Sequence, residues 1–253
     1  YDTLTRIERR DPELLARYPG LGKLSVARDV STLGDGDRLV LGFHGLDNST
    51  KEDLAARGID VLDDLICPFI AKLDRVVERL AGQGYDIAIV GTKDNHHCRT
   101  AKKIAEAHQR TCYVIERADD LAALARSADI ALVGQVTGNT EVFGEVIERL
   151  RTSDLPVKIV KTMCSDSYSR QRTAADLARR AEIVILLDDG GGAAQSVFEV
   201  CSKLNARIHR VHSKEDIRPE WLEGVKSAAI VGGILVPQWL IEEAAQHVRA
   251  LCA

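Results

Sequence analysis

The feature that most constrains this chain is a regular alternation of short apolar runs with longer amphipathic segments. Runs rich in Val, Ile and Leu stand at 38–43, 87–90, 111–115, 130–133, 157–160, 182–187, 207–211 and 228–231, each followed by glycine or polar residues. Their length and β-branched content predict strands. Helical periodicity fills the intervals. Residues 68–81 place Ile70, Leu73, Val76, Val77 and Leu80 on one face, and 140–150 do the same with Val142, Val146, Ile147 and Leu150. Strands apolar on both faces, alternating with helices, specify an α/β protein with a largely parallel sheet system. The spacing suggests one small unit used three times, over 1–66, 67–162 and 163–236, with 237–253 as a closing helix. Two lobes, or one doubly wound sheet, would produce nearly the same string.

Composition narrows the function classes. The 253 residues are 45% hydrophobic and 28% charged, which predicts a globular chain with an ample core. With 34 Lys+Arg against 38 Asp+Glu there is no basic excess to neutralise nucleic-acid phosphates, and aromatics at 4% supply no stacking platform. No apolar run is long enough to cross a bilayer, and Tyr1–Arg10 is charged where a signal peptide would be apolar. The chain therefore reads as soluble and cytoplasmic. Its six cysteines are too scattered for a disulfide framework and form no C-x-x-C pair. It begins with Tyr1 and its only methionine is Met163, which reads as a chain lacking the true start of the gene product.

Parallel α/β proteins carry their chemistry where strands end and helices begin. Here the 38–43 run meets His44-Gly45, Leu65-Ile66 meets Cys67-Pro68, and 87–90 meets Gly91 and then Asn95-His96-His97-Cys98. Farther on, 130–133 leads to Gly134-Gln135-Val136-Thr137, 157–160 to Cys164, 182–187 to Asp188-Asp189 and three glycines, and 228–231 to Gly232-Gly233. Free cysteine most often simply packs, and histidine before glycine is commonly a turn residue. Pro68 after Cys67, and Ser165-Asp166 after Cys164, are helix-start signals, and a helix N-terminus favours thiolate ligation. Cys112, Cys201 and Cys252 read as packing residues. Gly190-Gly191-Gly192 lacks the Lys-Ser/Thr of a P-loop, follows two acids that repel phosphate, and has no G-x-G-x-x-G counterpart.

In order and spacing these junctions resemble the 4-hydroxy-3-methylbut-2-enyl diphosphate reductase (LytB-like) family, iron–sulfur enzymes that complete the methylerythritol phosphate route to isoprenoids. Gly42–Gly45 resembles its S-A-H-G and Asp64–Lys72 its D-A-T-C-P-L-V-x-K. Gly91–Cys98 resembles G-H-x-x-H-P-E with one residue inserted, and Gln135-Val136-Thr137 resembles T-Q-T-T. Met163-Cys164 with Arg170-Gln171 resembles I-C-x-A-T-x-x-R-Q, and Asp216–Lys226 resembles D-I-x-x-E-W-x-x-x-V-K. The resemblance implies a trefoil of three α/β lobes around a central [4Fe–4S] cluster bound by one cysteine per lobe. It implies reductive removal of a substrate hydroxyl, with a donor such as ferredoxin or flavodoxin. Carried over, Cys67 and Cys164 are metal ligands, His44, His96 and Gln135 bind substrate, and Thr137 and His96 are catalytic.

The departures matter equally. The family's first cysteine lies in G-F-C-x-G-V, and nothing in Tyr1–Val30 resembles it, so this segment is missing or its ligand is gone. Cys98 stands where the family has its proton-delivering glutamate, and the resemblance leaves the third ligand to a cysteine upstream of this sequence or, in its place, to Cys98. The catalytic threonine falls on Val136 with Thr137 beside it, the diphosphate-binding S-x-N on Gly191-Gly192-Ala193, and a late pocket serine on Leu235. The sequence-based expectation is a reductive dehydroxylase of this family acting on a small substrate other than the usual diphosphate. The alternatives are a cluster-free scaffold or partner subunit of the same fold, the orthodox diphosphate reductase, and an unrelated sugar- or nucleotide-binding α/β protein. A homo-oligomer or partner complex is expected, with no nucleic acid and no membrane.

Overall fold

The computed structural model describes residues 27, 29–42, 45–46, 48–63, 66–126, 129–153 and 155–252. The chain divides into two compact units, Tyr1–Pro68 and Phe69–Ala253. In the first, strand β1 (Arg38–Val40) pairs in parallel with β2 (Asp60–Leu62), and helix α1 (Asn48–Ala56) connects them. Leu41, Leu54 and Ile59 are buried there. Arg57, just after α1, donates to the carbonyls of Val30, Ser31 and Leu33, tying the preceding segment to the helix end. The periodicity does not reveal β2, because a three-residue Asp-Val-Leu strand shows no measurable alternation.

The second unit begins with α2 (Pro68–Gly82), whose first residue closes the first unit, and holds two all-parallel sheets. One, in the order β4-β3-β5-β6, consists of β3 (Asp86–Val90), β4 (Cys112–Ile115), β5 (Ile130–Gly134) and β6 (Val157–Ile159). On one face Ala88, Val90, Ile130 and Leu132 form a core with Leu121 and Leu124 of a 3₁₀ segment and with Phe143, Val146 and Leu150 of α4 (Thr140–Arg151). Helix α3 (His96–Ala107) packs against β3 and β4. The other sheet, β8-β7-β9, consists of β7 (Ile183–Leu187), β8 (Ile208–Val211) and β9 (Ala228–Gly232). Val184 and Leu186 of β7 face α5 (Ser165–Arg180) and α6 (Gly192–Ser202), whereas Ile183, Ile185 and Leu187 face Leu240, Ala244 and Val248 of α7 (Gln238–Leu251). The C-terminal helix is therefore one covering layer of the last sheet.

All eight expected strands are present, seven within a residue or two and the first shorter than expected, ending at Val40 with Leu41 and Gly42 outside it, and the helices expected at 68–81 and 140–150 form over Pro68–Gly82 and Thr140–Arg151. One cysteine departs from expectation. Cys252 lies one residue beyond α7 and is exposed. Cys112 and Cys201 lie in β4 and α6 as packing residues, and burial pushes their thiols up to about 12 and about 11.

Burial also raises the carboxyl of Asp74, on α2, from 3.8 to about 6. The folded state then keeps a proton that the unfolded chain has released, so this group's contribution to stability falls as pH rises from about 4 through 6. Asp74→Asn is expected to be about 1 kcal/mol more stable than the parent at pH 7 once solvent screening is allowed for. The difference should vanish below about pH 4, where both side chains are neutral, as checked by urea denaturation at the two pH values.

Candidate active site at the strand ends

Strand order locates the site. From β3 the chain first adds β4 on one side and then β5 on the other, so the loops leaving β3 and β5 run to opposite sides. The same reversal occurs at β7, with β8 and β9 on opposite sides. Such switch points, outside the carboxyl ends of parallel strands, are where α/β sheets bind ligands. Here the loops of both sheets converge.

Gln135 follows β5 and is 2% exposed. Its Oε1 accepts from Thr92 N at 2.9 Å and lies 3.6 Å from Cys98 Sγ, which donates to it. This arrangement requires glycine at 91, since an ideal Cβ there would lie 2.6 Å from Gln135 Oε1 and 2.8 Å from Cys98 Sγ. Asn95 caps α3, its Oδ1 accepting from His97 N at 2.9 Å. These bonds orient both amides so that their NH₂ groups turn toward Gly192. An ideal Cβ on Gly192 would lie 2.8 Å from Asn95 Nδ2, 3.4 Å from Gln135 Nε2 and 3.5 Å from Thr137 Oγ1. Four residues from three loops thus meet at one point.

The surroundings are tied by hydrogen bonds. Ser196 Oγ of α6 donates to Thr137 O at 2.8 Å, and Asn139 Nδ2 donates to Glu199 Oε2 at 3.0 Å. Buried Gln171 of α5 accepts from Thr140 N and Oγ1, both at 3.0 Å, and donates to Gly138 O at 2.9 Å. Cys164 is the N-cap residue of α5, buried, with its N donating to Val136 O at 2.8 Å and its side chain making no capping bond. Cys67 immediately precedes α2 and is half-buried. Both cysteines thus stand at helix starts, as their following residues predict.

The glycine loop after β7 is already capped. Asp188 Oδ1 accepts from Gly190 N at 2.8 Å and Asp189 Oδ1 from Gly191 N at 2.7 Å, with Gly190 at φ +77° making the turn. Asp189 Oδ2 also accepts from Leu235 N at 3.2 Å. Arg210 pairs with Asp188, its Nε at 2.8 Å from Oδ2, while Asp189, 4% exposed, has no ion pair among the described residues.

The sequence-based candidates distribute unevenly. Gln135 and Thr137 lie in the Gly192 group. His96 is exposed, its Nε2 3.4 Å from Thr100 Oγ1, and Asn95 is the residue of that turn that reaches Gly192. Partial burial first, then Arg99 and Lys103, lowers the His96 pKa, which keeps the ring neutral at pH 7. Cys98 points into the protein toward Gln135, and burial, with Cys112 and Glu116 nearby, pushes its thiol up to about 12. His44 lies outside the described residues. Asn95 is not singled out by motif comparison; its signal is an asparagine directly before an amphipathic segment, a cap that leaves one amide face free. No helix among the described residues is long and apolar enough to cross a membrane.

Comparison with known proteins agrees with this architecture. The profile of the LytB protein family matches residues 21–249. The 4-hydroxy-3-methylbut-2-enyl diphosphate reductase of Geotalea uraniireducens (strain Rf4) is 26% identical over 241 residues, 95% of this chain and 83% of that protein. The enzyme of the same name from Aquifex aeolicus (strain VF5) is 26% identical over 219 residues, 86% and 75% of the two chains. Among solved structures, the E-1-hydroxy-2-methyl-but-2-enyl-4-diphosphate reductase from Plasmodium falciparum superposes with a TM-score of 0.79 at 16% identity, over 90% of this chain and 73% of that one. The (E)-4-hydroxy-3-methyl-but-2-enyl diphosphate reductase described as the terminal enzyme of the non-mevalonate pathway gives 0.57 at 24% identity, over 95% and 85%. The likeness shows the fold class, the α/β trefoil of these reductases.

Proposed function

The chain belongs to the LytB protein family, and from that premise we propose that it is a reductase of the kind its relatives are named for. The overall change is R–OH plus two electrons and two protons to R–H plus water, with the electrons delivered by a small external redox protein of the ferredoxin or flavodoxin kind. The observation that carries the reading is the convergence of Asn95, Gln135 and Thr137 on Gly192 at the switch points of two parallel sheets. These groups would orient a substrate oxygen, and the Thr137 hydroxyl would hold a proton beside it. His96, carried over from the family motif, would bind the substrate as a neutral ring.

Cys67 and Cys164, each at a helix start, are the ligands we assign to a [4Fe–4S] cluster, and Cys164 suits the role because its sulfur is not spent on capping α5. Cys98 would have to surrender its proton and its bond to Gln135 to serve as a third ligand. When bound, such a cluster supplies the electrons and a Lewis-acidic iron.

The relatives' names favour 4-hydroxy-3-methylbut-2-enyl diphosphate as substrate. A substrate of another class is favoured by one observation, the occupation of the Gly190 and Gly191 amides by the chain's own carboxylates. The full chain purified without oxygen is expected to hold about four irons with matching sulfide. It should oxidise a reduced viologen dye when its hydroxylated substrate is added, 4-hydroxy-3-methylbut-2-enyl diphosphate being the first to assay. Absence of iron from that preparation would overturn the reductase reading in favour of a cluster-free scaffold.

A further inference from the structure

Helix α5, whose N-cap residue is Cys164, buries one side through Ser167, Gln171, Ala174, Ala175 and Ala178. Its other side is positive. From Lys161 through Arg180 five basic residues stand against Asp166 and Asp176, all seven exposed, in a chain whose net charge is -4. Asp176 is engaged by Arg179, whose Nη1 donates to its Oδ1 at 2.9 Å, whereas Lys161, Arg170 and Arg172 make no ion pair among the described residues. Solvated helix faces ordinarily pair their charges, as Arg151 does with Glu148 on α4 and Lys102 with Glu106 on α3. Tyr168 stands in the middle of this surface, and at 53% it is the most exposed large apolar side chain among the described residues. Arg172 follows one turn later on the same stripe. The Tyr168 backbone N donates to Cys164 O at 3.0 Å, so the ring lies one turn from that cysteine and joined to it by a hydrogen bond. An exposed aromatic ring among unpaired basic side chains has the composition of a protein–protein contact, where tyrosine and arginine supply most of the binding energy.

We infer that the exposed face of α5, centred on Tyr168 and Arg172, is the docking surface for an acidic one-electron carrier protein, and that electrons enter the molecule beside Cys164. The inference rests on the reductase reading and on Cys164 as a cluster ligand. Charge fixes the sign of the partner, because unpaired cations steer an acidic protein toward this face while the net negative charge of the chain disfavours its approach elsewhere. Position fixes the use of the surface, since a carrier seated on Tyr168 reaches the start of α5 and with it Cys164. Each encounter oxidises one carrier by one electron, and two encounters supply the two electrons of the change from R–OH to R–H, the two protons coming from solvent.

The test uses the full chain prepared without oxygen and an acidic [2Fe–2S] ferredoxin as the probe. Calorimetric titration with the oxidised ferredoxin reads docking without turnover. Saturable binding is expected, weakening about tenfold between about 0.01 and 0.15 M salt as the Debye length falls from about 30 to about 8 Å. Lys161→Glu combined with Arg172→Glu should weaken it about tenfold or more, and Tyr168→Ala several-fold. Melting temperatures should stay within a few degrees of the parent's, because all three side chains are exposed. In the iron-loaded protein the same variants should slow the oxidation of reduced ferredoxin about tenfold, yet leave the oxidation of a reduced viologen, a small dye that needs no docking surface, within about twofold. No binding by the parent, binding indifferent to salt, or undiminished binding by the charge-reversed variant would each overturn the inference. The two readings fail separately. A preparation without iron sinks the reductase reading while docking still stands or falls by the titration, and viologen oxidation without ferredoxin binding sinks the docking surface alone.

Discussion

Cys164→Ser protein purified without oxygen is expected to contain only background iron while unfolding within a few degrees of the parent. The thiol is the N-cap of α5 but makes no capping bond, whereas serine is among the best N-cap residues, so the start of α5 should hold or gain about 0.5–1 kcal/mol. The backbone bond from residue 164 to Val136 O is independent of the side chain. What serine removes is the soft sulfur donor that iron–sulfur clusters require. Cys67→Ser should behave in the same way, and Cys252→Ser, exposed beyond α7, should keep its iron. Retention of iron by Cys164→Ser would refute the ligand assignment, and loss of iron together with the melting transition would mean that only folding had been tested.

Ile185→Ala is expected to cost roughly 3–4 kcal/mol and to lower the melting temperature by about 10 °C. Ile185 is fully buried in the middle of β7, the central strand of the last sheet, and belongs to the core that Leu240, Ala244 and Val248 complete. Truncation leaves a cavity between sheet and helix that neither can close without breaking the parallel ladders to β8 and β9. Ile230→Ala, at a half-buried position directly opposite on β9, should cost less than half as much. Scanning calorimetry of the pair decides the matter, since a smaller loss at 185 than at 230 would place the core elsewhere. Because β7 leads into the Asp188–Gly192 loop, Ile185→Ala should also weaken ligand binding at temperatures well below its melt.

The alternation of apolar runs and amphipathic segments was enough to specify an α/β chain with parallel sheets, because burial on both faces leaves a strand such as Ile183–Leu187 no polar position. The starts of α2 and α5 after Cys67 and Cys164 were legible too, from Pro68 and from Ser165-Asp166, since a helix end is a local matter of dihedral angle and dipole. Cys98 was ambiguous, since it stands where the family has a glutamate and was a candidate third ligand, and only the packing of α3 on β3 and β4 turned its sulfur inward to Gln135. The same holds for the site. Residues 95, 135, 137 and 192 are joined by no periodicity, and their meeting depends on β3 and β7 each taking later strands on opposite sides. That choice is made by long-range burial of both sheet faces, a sum over contacts distant in sequence, and so it is decided only in the folded molecule.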